Sequence, residues 1–212
     1  MKKILAIGAH FDDIELAAAG TLNYLSNKGA EVFKITLTDN VTKSKELKLN
    51  VKFHSSLKSS QKACKIIGVK QIKNKMKKKC NFLKYDTNLM QYLEKIIYDN
   101  KIDTVFTHYK EDINRDHVAS HEIAVTAARH CKNIFTFQSN FHLANNSFSP
   151  NFFFDISKFI NNKIKSLNCY GAEHNRKNSL FESTIDRNRV WGTSNGVKYA
   201  EAFYPLKYLE KA

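Results

Sequence analysis

Seven residues near the N-terminus, Ala9-His10-Phe11-Asp12-Asp13-Ile14-Glu15, place one imidazole and three carboxylates directly behind the apolar run Ile4-Leu5-Ala6-Ile7-Gly8. A short apolar run of this kind is a buried strand, and the polar residues fall where it hands over to a helix. Open α/β sheets bind their ligands at the carboxyl ends of strands. His10 and Asp13, three residues apart, offer a nitrogen and an oxygen donor that one zinc ion can share. Asp12, beside them, need not bind metal and can act as a base.

A second polar cluster follows another strand-like run, Lys101–Thr107. It reads Thr107-His108-Tyr109-Lys110-Glu111-Asp112-Ile113-Asn114-Arg115-Asp116-His117, with His117 opening the next helix. His10, Asp13 and His117 together would make a two-His, one-carboxylate set with positions left for water, which is how catalytic zinc sites differ from structural ones. His108 and His121 compete as ligands, His121 lying one helical turn beyond His117. His54, His130, His142 and His174 stand in less acidic surroundings and read as structural or surface residues.

The elements that must carry these clusters alternate. The pattern predicts strands over Lys3–Gly8, Glu31–Thr38, Lys101–Thr107, Ile134–Gln138 and Phe152–Ile156. Helices are predicted over Glu15–Lys28, Ser56–Ile67, Leu89–Asp99, Asp116–Cys131 and Ile160–Cys169, the first two closed by Gly29 and Gly68. Asp39–Asn50 reads as a polar, lysine-rich loop above the strand ends, and Asn145–Pro150 as another loop. Connections this long imply a mainly parallel sheet with right-handed crossovers. The expectation is one α/β domain over residues 1–212, Rossmann-like, in three layers with helices on both faces of the sheet.

Composition narrows the class. The chain has 212 residues, 42% of them hydrophobic and 25% charged, ordinary for a globular domain with a sizeable core. No apolar stretch approaches the roughly 20 residues that span a bilayer. Lys2-Lys3 and a short apolar run make no signal peptide, which makes the cytoplasm the expected address. Cys64, Cys80, Cys131 and Cys169 lie far apart and read as reduced apolar fillers. The formal net charge is +14, with Lys and Asn abundant and Pro and Gly scarce. That bias reads as a coding background rather than a nucleic-acid footprint, and the Lys73–Lys79 run reads as a solvated loop. An anionic small molecule such as a sugar nucleotide suits the charge equally well.

The two clusters resemble a known family. AHFDDIE is similar to the A-H-P-D-D-x-E signature of the LmbE-like deacetylases, the PIG-L superfamily of zinc-dependent N-acetyl hydrolases. THYKEDINRDH resembles that family's H-x-x-x-D-x-(H/N)-x-D-H segment. Phe153-Phe154-Asp155-Ile156-Ser157 looks like its strand-then-DIS element, and Gly196–Phe203 resembles its YAEAF stretch. The resemblance implies that His10, Asp13 and His117 are metal ligands and Asp12 the general base. It also implies that Asp116 orients the site and that Glu15 supports it from behind. Phe11 replaces the usual Pro. Asn114 stands where many members have a His that stabilises the oxyanion; Asn114 or His108 is the expected donor. Ser56 and Ser59 occupy the positions of an R-x-x-E pair, and no Arg precedes Arg115.

The implied function is zinc-dependent hydrolysis of the acetamide of an N-acetylated amino sugar, free or conjugated, with no nucleic-acid partner. A homo-oligomer is compatible with the sequence. The alternatives are a catalytically weakened sugar-binding paralogue and a hydrolase of another small amide. A dinucleotide-binding domain is disfavoured because the first turn lacks G-x-G-x-x-G and its carboxylates would repel a pyrophosphate. A Mg²⁺ phosphatase or nuclease is disfavoured by the two His, since magnesium prefers oxygen ligands.

Overall fold

The computed structural model describes residues 1–46, 49–141, 147–171 and 180–209. Its centre is a seven-stranded sheet built from β1 (Lys3–Gly8), β2 (Glu31–Thr36), β5 (Lys70–Gln71), β6 (Thr104–His108), β7 (Asn133–Phe137), β8 (Phe152–Asp155) and β9 (Ala200–Lys207). The order is β5-β2-β1-β6-β7-β9-β8. The first five strands in that order pair in parallel, and β9 runs antiparallel to both β7 and β8. The mainly parallel α/β sheet expected from the alternating pattern is therefore present.

Alternation along β1 explains the layers. Leu5 and Ile7 face one core, with Leu89, Leu93 and Ile96 of α3 (Thr87–Asp99) and Ala119, Ile123 and Ala127 of α4 (Arg115–Ala127). Ile4 and Ala6 face the other, with Ile14, Ala18 and Leu22 of α1 (Asp13–Asn27) and Cys64 and Ile67 of α2 (Phe53–Ile67). Successive strand side chains point to opposite faces, so one strand serves both layers. Helix α5 (Ile160–Asn168) packs outside α1 and α2. Gly20 of α1 permits a close approach: a Cβ there would lie 2.8 Å from Ile156.

Chain connectivity makes the crevice. From β1 the chain passes through α1 to β2 on one side. It returns later through α3 to β6 on the other side of β1. The loops after β1 and β6 therefore diverge from neighbouring strands, the arrangement in which open sheets bind ligands.

The structure departs from the sequence reading, or adds to it, in three places. Asp39–Asn50 is no plain loop: β3 (Thr42–Ser44) and β4 (Leu49–Val51) form a small antiparallel hairpin. A further helix, α6 (Glu182–Ser194), and the full extent of β9 had no counterpart in the periodicity. The Lys73–Lys79 run is largely exposed as expected, but Lys78 anchors it. Its ammonium pairs with Asp86 at 2.6 Å, and its backbone bonds to Leu37 and Asp39. His142, His174, Asn145 and Asn146 lie outside the described residues. Among the described residues, no helix is long and apolar enough to cross a membrane.

Candidate metal centre

The turn between β1 and α1 folds tightly over Gly8, where a Cβ would lie 3.1 Å from the carbonyl oxygen of His10. Asp13 closes the turn on itself, its Oδ2 accepting from the His10 backbone N–H at 2.7 Å. On the neighbouring strand β6, the Nε2 of His108 lies 3.0 Å from Asp13 Oδ2 and 3.1 Å from the Ala9 backbone nitrogen. After β6 the chain reaches Asn114, which caps α4 by accepting from the Asp116 backbone N–H at 2.9 Å. That cap sets His117 on the first turn of α4, facing β1.

His10, Asp13 and His117 meet. His10 Nδ1 lies 3.2 Å from His117 Nε2 and 3.4 Å from Asp13 Oδ2, and His117 Nε2 lies 3.3 Å from Asp13 Oδ1. One ligand atom from each of the three lies within 4.8 Å of the others. Two imidazoles and a carboxylate, spaced in this way, form a donor set of the kind zinc takes. The outer groups fix the rings, as partners of metal-binding His do. His117 Nδ1 is 2.8 Å from Asp112 Oδ2, and His10 Nε2 is 3.1 Å from Asp116 Oδ2.

Asp116 is itself held, accepting from the backbone N–H of Asn81 at 2.6 Å and of Leu83 at 3.0 Å. Ser139 donates to Asp13 Oδ1 at 3.0 Å, and the Asn140 amide donates to Asp112 at 3.1 Å.

The electrostatics suit a cation. Burial opposes charge on His10, yet Asp13 and Asp116 outweigh it and lift the imidazole well above its ordinary value. Burial likewise opposes charge on His117, but Asp13 and Asp112 raise it to about 9. Asp13 is held well below the usual carboxylate range: His117, His108 and His10 prevail over burial. Three carboxylates around two imidazoles make a field that protons or a divalent cation can satisfy, and the two compete. His108 behaves differently: burial and the neighbouring His117 lower it to about 4, so its ring is neutral at pH 7.

A cavity of about 170 Å³ opens over this cluster, lined among others by His10, Asp12, Asp13, Asn114 and His117. His108 does not line it among the described residues; the ring lies buried against Asp13. His121 is turned elsewhere, its Nδ1 2.7 Å from the His108 carbonyl oxygen. The hairpin segment contributes Asn40, Thr42, Leu49 and Val51 to the wall. No lining side chain comes from Arg187–Tyr204 among the described residues. Arg187 acts at one remove, donating to the carbonyl oxygens of Gln138 (3.0 Å) and Asn140 (2.8 Å), which flank Ser139. Cys80 lines the cavity rather than filling the core, and with His10 and Asp116 makes a second close group of donor types. Asp116 already accepts two backbone N–H bonds there.

Glu15 touches neither imidazole. Its carboxylate forms a fully buried pair with Lys34 of β2, at 2.6 and 2.7 Å. Lys34 and the Tyr170 hydroxyl both donate to the carbonyl oxygen of Phe11, at 2.6 and 2.7 Å. The turn carrying His10 and Asp12 is thereby tied down from beneath. Lys34, Tyr170, Asp112, Ser139 and Asn140 had no assigned role in the sequence, whereas Arg187 opens a segment, Arg187–Tyr204, expected to shape the pocket. Asp112 alone carried a signal, five residues before His117 within the second cluster.

Solved structures share this architecture along almost the entire chain. A conserved protein of Thermus thermophilus, TT1542, superposes with a TM-score of 0.82 at 21% identity, covering 100% of this chain and 98% of its own. GalB, the 4-carboxy-2-hydroxymuconate hydratase of Pseudomonas putida, gives 0.82 at 16% identity, with 100% and 99% coverage. The N,N'-diacetylchitobiose deacetylase of Pyrococcus horikoshii gives 0.76 at 19% identity, with 97% and 84% coverage. At these identities the likeness is one of fold, and a fold hosts more than one chemistry. The sequence is more discriminating: the model of the family PIG-L, GlcNAc-PI de-N-acetylase, matches residues 5–128, a span that includes both strand ends and every proposed ligand. With more than half of its length matched, the chain belongs to the PIG-L family.

Proposed function

We propose that the protein is a metal-dependent hydrolase that removes the acetyl group from an N-acetylated amino sugar or sugar conjugate. The observation that carries this reading is the convergence of His10, Asp13 and His117, with ligand atoms within 4.8 Å of one another, beneath a cavity that Asp12 also lines. Membership of the PIG-L family and the deacetylase among the fold relatives support it.

Zinc, when bound by these residues, lowers the pKa of a water to about 7 and polarises the acetyl carbonyl. Asp12 sits at the cavity wall next in sequence to Asp13, only 5% exposed. It takes the proton of the attacking water and delivers it to the nitrogen of the departing amine. Asn114 spends its side-chain oxygen on capping α4, so its amide NH₂ is the group that can donate to the developing oxyanion. His108 is a positioning residue: neutral and buried, it holds Asp13 in place. The family's activity supports a sugar or sugar conjugate as substrate.

Acetate release from N-acetylglucosamine and its conjugates, with zinc supplied and Asp12→Asn as the blank, tests the reading. Turnover in the native protein and none in the variant is expected. Metal binding without acetate release from any N-acetyl sugar would leave a sugar-binding paralogue or another small-amide hydrolase in its place. Water addition to an unsaturated acid would instead align the chain with the hydratase that shares its fold.

A further inference from the structure

Residues 138–140 follow β7, the strand beside β6, and reach the metal centre from two sides. The Ser139 hydroxyl, fully buried, donates to Asp13 Oδ1, the same oxygen that lies 3.3 Å from His117 Nε2. The Asn140 amide donates to Asp112 Oδ2 at 3.1 Å, and that oxygen stands 2.8 Å from His117 Nδ1. Adjacent residues thus orient one proposed ligand directly and the partner of another.

One guanidinium spans this segment. Arg187, on α6, donates from Nη1 to the Asn140 carbonyl oxygen at 2.8 Å and from Nη2 to the Gln138 carbonyl oxygen at 3.0 Å. The donors of the planar fork are fixed relative to one another, so the two bonds set the orientation of the backbone as well as its position. Aromatic rings flank the fork, with the centroids of Phe141 and Trp191 at 4.3 and 4.9 Å from Cζ. Burial pulls the guanidinium down to about 10, and the carboxylate that steadies its charge, Glu201, is itself paired with Lys163. Confining a cation in this way is costly. Little of that cost is repaid in the core, because α6 buries only Thr184, Asn188 and Gly192.

We infer that Arg187 is a positioning residue for the metal centre, setting Ser139 against Asp13 and Asn140 against Asp112 through the backbone of residues 138–140. The inference rests on His10, Asp13 and His117 holding zinc. Groups that orient a metal ligand contribute about 10–100-fold to metal affinity, and Arg187 stands one link beyond them.

Zinc affinity of the whole protein, read by competition with a chromogenic chelator, tests this without reference to acetate release. Arg187→Ala should weaken zinc binding about tenfold while circular dichroism shows an unchanged fold. Arg187→Lys should weaken it severalfold, since one ammonium does not reproduce the fork. In S139A/N140A, where both contacts are already gone, adding Arg187→Ala should cost less than about twofold, as expected of residues acting in one chain. Native affinity in Arg187→Ala overturns the proposal. So does an undiminished effect in the S139A/N140A background, which would make Arg187 a general support of the fold. Should Arg187→Ala fail to fold, native affinity in Arg187→Lys overturns the proposal instead. The expected zinc affinities with no acetate released would uphold the inference and remove only the deacetylase reading. A native protein that binds no zinc would remove both.

Discussion

One part of the catalytic cavity wall rises from β1 and β6, two strands at the middle of the sheet, and the turns that follow them. Another part comes from the short hairpin β3–β4 and from Leu180. The first part is tied at every point. Its turn is anchored through the Phe11 carbonyl oxygen, its imidazoles by Asp112 and Asp116, and its carboxylate by Ser139 and His108. The hairpin strands are three residues each, and the hairpin's side chains in the cavity are Thr42, Leu49 and Val51. Reaction chemistry needs groups held to a fraction of an ångström, whereas substrate choice needs only shape. On the proposed function, the fixed wall would carry the reaction and the hairpin wall the preference.

Removing a ligand from the fixed wall should produce the largest effect. His117→Ala and Asp13→Ala are expected to abolish both bound zinc, measured by elemental analysis, and acetate release. Full zinc retention in His117→Ala would break the assignment. Next comes Asp12→Asn, expected to keep its zinc while turnover falls about 10²–10⁴-fold, the usual contribution of a positioned base. An unchanged rate would remove Asp12 from that role.

Lys34→Met tests the anchoring beneath the turn. Leaving Glu15 buried without its partner should cost ~3–5 kcal/mol in urea unfolding, and the double replacement E15M/K34M should recover much of it. A wild-type midpoint for Lys34→Met would show that the pair does not brace the turn. Smallest of all should be Val51→Ala on the hairpin. It is expected to change KM severalfold across N-acetyl sugars with kcat nearly constant, the pattern of a contact that binds ground and transition states alike. A large loss of kcat there would erase the contrast between the walls.

How far the sequence revealed each region follows the same division. The strand β1 ends where the apolar run ends, and the pattern also located α1 to α5, because α1 to α4 bury apolar residues against the sheet and α5 buries its own against α1 and α2. Both polar clusters stood out because ionisable residues seldom crowd behind apolar strands. The hairpin was illegible: Thr42-Lys43-Ser44 and Leu49-Asn50-Val51 are too short to alternate convincingly. Helix α6 was equally silent, since ESTIDRNRVWGTS buries only Thr184, Asn188 and Gly192. The supporting groups were hidden for a different reason. Ser139, Arg187 and Tyr170 lie in segments remote from the clusters, and their sequence surroundings carry no trace of what they touch.

Helix α1 is flanked by two fully buried lysines, for Lys163 also pairs with Glu201 and donates to the Leu16 carbonyl oxygen at 2.8 Å. Most lysines of this chain are open to solvent and would be modified at once by an amine-reactive reagent. Lys34 and Lys163 can react only when the helix lifts from its bed. They are therefore built-in probes: the rate at which each acquires a label, read by mass spectrometry, clocks how often the floor of the catalytic turn comes apart.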